Sequence, residues 1–430
     1  MEENINQDKN QYIREQVKQR PLNRKKLMRR TMITAAMAVI FGVFACFTFL
    51  VLEPVFSNLL SPEEEPDVVE IPEDTNEMLP EDMILKEEKP EEEKTDFTRA
   101  ADEVDPLGDY SKMYEQIYAI AGEVEKSMVT VTSLNTDEDW WGDEYQSEGT
   151  SSGLYVANNG KEILILGESE NILDADVISV TFFDGETVSG EIKEADENSG
   201  LCIVAVPISS MSGSTIDSIV PASLGRSRSS ELMASPVIAI GRPYGSSSSV
   251  AFGMLTSLDT TVTLTDANYN LLTTNIYGST GASGIIVNLS GEVLGIIDQS
   301  HNEDAVSNLI SAIGISDLKK TIERMSNGRP KARFGIEGTS VTGEVHEAMG
   351  VPFGAYVTDI VMNSPAMNAG IQRGDVIIKM DSEEIADYAG FTEYLSDKKP
   401  EEVIEVVIAR QGQEEYREVT LSITLGEEKK

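Results

Sequence analysis

A chain of 430 residues with 40% hydrophobic and 6% aromatic side chains has the material for two or three packed domains. Its 34 basic against 74 acidic side chains leave a formal charge of −40, which argues against nucleic acid or anionic headgroups as partners of the soluble part and favours neutral, cationic or unfolded polypeptide. Two cysteines, Cys46 and Cys202, and two histidines, His301 and His346, argue against a disulfide framework or a metal centre, so no metal or cofactor is expected.

Residues 1–30 form a basic tail ending in Arg20, Arg24, Lys25, Lys26, Arg29 and Arg30. Residues 31–53 follow as a run free of charge from Met32 to Leu52, long enough to cross a bilayer as one helix. Basic residues before it and acidic ones after it put the N-terminus in the cytoplasm and the rest outside, as in a single-pass protein of the cell membrane. Residues 54–108 are rich in Glu and Pro with few apolar side chains, the composition of a disordered acidic spacer.

Met113, Ile117, Ile120 and Val124 recur at helical spacing before the alternating run MVTVTSL. Short β-like runs then succeed one another between Gly, Asn and Asp turns: SGLYVANNG, KEILILG, VISVTFFDGETVSGEIKEAD, LCIVAV, SPVIAIGRPYG, GMLTSLD and SGIIVNLSGEVLGIID. Hairpin turns at Asp184-Gly185 and Ser290-Gly291 favour an all-β sandwich or a pair of barrels, closed by a helix ISDLKKTIERM before Asn327-Gly328.

The phrases SSGLYVANNG, VTFFDGETVSGEI, SPVIAIGRPYGSSSSVAFGMLTSLD and GASGIIVNLSGEVLGI, in this order, resemble the HtrA (DegP-like) serine proteases. The resemblance implies a trypsin-like double β-barrel over 109–328, and a trimer as in its relatives. It also assigns triad positions. The histidine of such a triad falls on Glu168, the orienting aspartate on Gly200, with Asp196 four residues early, and the nucleophile on Ala282 by a gap-free match or on Ser283 by a one-residue deletion. No histidine precedes residue 301, and an ordinary carboxylate at 168 is a poor acceptor for an alcohol proton. The expected product is a pseudoprotease with no catalytic residues; the alternative is an active surface endopeptidase using Ser283, and a blander one a structural envelope protein.

From Ala332, RFGIEGTSV, Ser364-Pro365-Ala366, Ala369-Gly370-Ile371 and Gly374-Asp375-Val376-Ile377 resemble the PDZ domain that follows the protease in HtrA proteins, spanning 331–427. Such domains add a peptide strand to a sheet edge and receive its terminal carboxylate on backbone N–H groups. The resemblance puts that loop at Arg333, Phe334, Gly335 and Ile336, and the side-chain pocket at Phe391, Tyr394 and Leu395; these apolar residues read equally well as core. Gly338 is expected to weaken the edge strand. Polypeptide C-termini or unfolded exported proteins are the implied ligands.

Overall fold

A computed structural model describes residues 66–74, 106–138, 144–170, 172–245, 247–302, 307–413 and 415–427, with Met28, Met32 and Met37 as isolated helical positions. The chain divides into two units, Met1–Glu65 and Pro66–Lys430. The basic tail apart from Met28, the apolar run 31–53 apart from Met32 and Met37, and most of the acidic spacer lie outside the described residues, among which no helix is long and apolar enough to cross a membrane.

The helix Pro106–Val124 leads into six strands, β1 (Met128–Glu138), β2 (Glu144–Asn158), β3 (Glu162–Glu168), β4 (Val177–Thr181), β5 (Thr187–Asp196) and β6 (Leu201–Pro207). They close into a barrel in the order β1-β2-β3-β6-β5-β4. A second barrel follows the same scheme from β7 (Pro236–Arg242), β8 (Ser249–Leu264), β9 (Ala267–Tyr277), β10 (Ser283–Val287), β11 (Val293–Ile297) and β12 (Leu309–Gly314), in the order β10-β11-β12-β9-β8-β7.

The runs EILILG and LCIVAV lack polar alternation because β3 and β6 are covered on both faces. Ile163, Ile165, Cys202 and Val204 fill the first barrel, whereas Leu164, Leu166, Leu201 and Ile203 pack in one core with Ile238, Ile240, Ile285 and Val287 of the second. That shared core presses the barrels together along the line where the triad positions fall. The helix Ile315–Ser326 closes it with Ile315, Leu318, Ile322 and Met325, one stripe of a 3.6-residue period.

Part of the spacer is not a tether. Residues 66–74 lie on the closing helix, with Val69 and Ile71 in the shared core. The Val69 N–H and C=O exchange bonds with the Asn327 side chain at 2.9 and 2.8 Å, and Lys319 Nζ holds Asp74 at 2.7 Å. Two apolar residues at i and i+2 in an acidic stretch suffice to dock it, a signal that average composition hides.

Asp196 ends β5 fully buried, 2.9 Å from Arg324 Nη2 and 2.9 Å from Lys331 Nζ, and accepts the Ser199 N–H at 2.9 Å. Burial opposes its ionisation, but Lys331 and Arg324 outweigh that and hold the carboxyl below its usual range. Asp196 thus joins the first barrel to the closing helix and to the start of the next domain.

That domain carries β13 (Ala332–Arg333), β14 (Ile336–Ser340), β15 (Ala355–Ile360), β16 (Val376–Met380), β17 (Glu383–Glu384), β18 (Val403–Gln411), β19 (Tyr416–Thr424) and β20 (Gly426–Glu427). Its main sheet runs β14-β15-β16-β18-β19, leaving β14 as an edge beside the helix Tyr388–Ser396. Gly338 does not merely weaken β14. It follows a bulge after Glu337, and a Cβ there would sit 2.5 Å from the Tyr388 ring and 2.4 Å from Tyr356 O, so only glycine lets Tyr388 cover the strand.

Candidate functional site

Two places concentrate the residues picked out above: the seam between the barrels and the β14 edge. At the seam, β3 ends on Glu168, which pairs with Leu201, and Ser169 N–H bonds Gly200 O at 2.8 Å. Positions 168 and 200 are therefore neighbours although 32 residues apart in sequence. Gly200 brings a left-handed turn (φ 65°) and no side chain to this place.

Glu168 is not an ordinary carboxylate. Burial, and then the negative charges of Asp298 and Glu170, push its carboxyl up to about 7, against a smaller opposing pull from Arg242. The expectation of a solvent-like acid at this position fails because both walls of the seam exclude water. Asp298 in turn faces His301, whose Nε2 lies 3.8 Å from Asp298 Oδ2, so the histidine set aside on sequence grounds stands beside the acidic end of the seam.

Across the seam, Ser283 opens β10 opposite Arg242 and is buried. Its Oγ accepts the Ser152 N–H at 3.2 Å and donates to Ser152 Oγ at 3.3 Å. Ala282 is buried as well, and its N–H is spent on Ser279 O at 3.1 Å. Between Ser152, Leu166, Glu168, Leu201 and Gly284 remains a cavity large enough for about one water molecule.

At the other place, Phe334, Gly335 and Ile336 converge their N–H groups, as a carboxylate receptor requires, with Gly335 at φ 93° making the turn. The receptor is occupied from within the chain. Asp266, at the tip of the β8–β9 hairpin, accepts the Phe334 N–H at 2.8 Å, the Gly335 N–H at 2.7 and 2.8 Å and the Ile336 N–H at 2.9 Å. Its own N–H donates to Ile336 O at 2.8 Å, and Asn268 Nδ2 to Gly338 O at 3.1 Å. Burial raises the Asp266 carboxyl above its ordinary value, opposed by the three N–H donors and by Lys331. Phe391, Tyr394 and Leu395 are buried with Phe334 and Ile336 in the domain core, and Arg333 pairs with Gly426.

Residues 151–296 match the trypsin-like peptidase domain family and residues 315–421 the PDZ domain family. Serine protease Do-like HtrB of Bacillus subtilis is 26% identical over 292 residues, covering 63% of this chain and 62% of that protein. Serine endoprotease DegS of Haemophilus influenzae is 27% identical over 278 residues, covering 63% and 76%. In both of its domains the chain is similar to the HtrA-type serine proteases.

The match to the Bacillus HtrB spans less than two thirds of that protein. The solved structure of the HtrA-type protease AlgW with decapeptide has the same fold, with a TM-score of 0.52 at 19% identity over 73% of this chain and 99% of that one. Within this HtrA-type frame the seam brings Glu168, Gly200 and Ser283 into one neighbourhood and adds Ser152, Asp298 and His301. Asp266, the residue most intimately bound to the PDZ loop, escapes a sequence reading: β8 and β9 are joined by no spelled hairpin signal, and a lone Asp between TTVTLT and ANYNLL reads as any turn residue.

Proposed function

We propose that this chain is a membrane-anchored, extracytoplasmic HtrA-type pseudoprotease that holds polypeptide through its PDZ domain. The observation that carries the reading is the seating of Ser283: a buried hydroxyl whose proton goes to Ser152 Oγ rather than to a base. A serine attacks only when a base takes its proton, and loss of triad members lowers rates by factors on the order of 10⁴ to 10⁶. Gly200 offers no carboxylate to orient a base, and the Ala282 N–H, bonded to Ser279 O, is not available to an oxyanion. The cavity beside Ser152, Glu168 and Gly284 has room for about one water.

The run at 31–53 behind its basic cluster supports an anchor with the folded part outside the cell, and the family supports a homotrimer. Peptide capture rests on the PDZ match, ligands being C-termini or unfolded segments of exported proteins. One observation favours the rival reading, an active endopeptidase: a Glu168 carboxyl pushed up to about 7 is closer to what a general base needs.

A fluorophosphonate probe and unfolded casein test both on the detergent-solubilised full chain. Neither labelling nor cleavage is expected; labelling that Ser283→Ala and Glu168→Gln each abolish establishes the endopeptidase instead. The anchor is checked by alkaline carbonate extraction of membranes, where release of the chain into the supernatant refutes it.

A further inference from the structure

We propose that Asp266 is an internal mimic of a peptide C-terminus, so that the second barrel holds the PDZ groove shut and a ligand must displace the β8–β9 hairpin to enter. The inference rests on the peptide-binding reading and adds its regulation. A strand added at the β14 edge needs three things from the domain: convergent N–H groups for its carboxylate, the Ile336 carbonyl for the N–H of its last residue, and a further carbonyl along the edge.

Asp266 and Asn268 take all three. The Asp266 carboxylate fills the Phe334–Ile336 receptor, the Asp266 N–H bonds Ile336 O, and Asn268 Nδ2 bonds Gly338 O. The hairpin and an incoming C-terminus therefore compete for the same donors and acceptors, and the groove's apparent affinity falls by the fraction of molecules that are open.

The contact is built at some cost to the chain. Asp266 sits at φ 60°, a left-handed backbone that glycine adopts most freely, and its carboxylate is buried among the N–H groups of the PDZ loop, where desolvation disfavours its charge. A turn at this place needs no carboxylate, and glycine would fit its backbone better. The side chain is explained by what it binds across the domain boundary.

Asp266→Gly and Asp266→Asn in the detergent-solubilised full chain test the proposal, since both residues tolerate the left-handed turn. The probes are a pool of fluorescein-labelled hexapeptides ending in Val, Leu, Ile or Phe carboxylate and the same pool as C-terminal amides. Anisotropy reads binding, and hydrogen exchange reads residues 332–340 and 262–270. Both variants are expected to bind the carboxylate pool about tenfold more tightly than the wild type or better, to leave the amide pool unbound, and to exchange faster at 332–340. If the carboxylate pool binds the wild type and both variants alike, the internal competitor is overturned and peptide binding stands. If exchange at 332–340 accelerates in both variants yet neither binds either pool, the peptide-binding reading itself is overturned, and this proposal with it.

Discussion

Replacing Asp196 by alanine removes the carboxylate that joins the first barrel, the closing helix and the segment entering the PDZ domain. Arg324, with a side chain 9% exposed, and Lys331, 17% exposed, then lose the Asp196 carboxylate at 2.9 Å. Stripping one member from a buried pair costs about 3–5 kcal/mol, chiefly because the stranded charge stays out of water. At about 2–4 °C per kcal/mol for a domain of this size, the barrel transition should fall by about 6–20 °C. Thermal unfolding followed by circular dichroism measures it, with Asp196→Asn as a control that keeps the shape and an acceptor for Ser199 N–H.

The pH profile adds a second handle on the same carboxylate. Because the folded Asp196 titrates below the ordinary value of about 3.9, its contribution is fully present above that value and fades as pH falls through the depressed folded value. The gap between wild type and Asp196→Ala should be flat from pH ~5 to ~8 and close below pH ~4. A shift of less than about 2 °C at neutral pH, or a gap that widens in acid, refutes the reasoning.

Glu168 has the opposite sign. Its folded carboxyl titrates near 7 against an ordinary 4.5, so the wild type is unpenalised below that ordinary value and loses about 2–3 kcal/mol as pH rises toward 7 and above; Glu168→Gln should match the wild type in denaturant midpoint at pH ~4.5 and exceed it at pH ~8. Gly338→Ala forces a methyl against the Tyr388 ring and Tyr356 O and should destabilise the PDZ domain by about 1–3 kcal/mol, read as faster exchange in β14 and β15. Asn327→Ala removes the paired bonds to Val69, and residues 66–74 should become a site of limited proteolysis while the barrels stay protected.

Both barrels were legible because hairpin turns at Asp184-Gly185 and Ser290-Gly291 bracket runs of uniform apolar character, and local chemistry fixes such turns. The closing helix, Ile315–Ser326, was equally plain from its apolar period. Residues 66–74 misled because two apolar side chains cannot stand out against a charge run, yet they dock where the closing helix offers Asn327 and Lys319.

The amino-acid sequence by itself determined the order of the two domains, the want of a histidine before residue 301 and the phrase that forms the PDZ loop, since each is a matter of residue type and spacing. It could not determine the state of the charged groups. That Glu168 titrates near 7 follows from walls contributed by two barrels, and that the PDZ loop already holds a carboxylate follows from a hairpin tip 67 residues upstream of Arg333. Only tertiary structure decides which distant side chain reaches a buried place, because desolvation and hydrogen bonding act through space and leave no mark on local sequence.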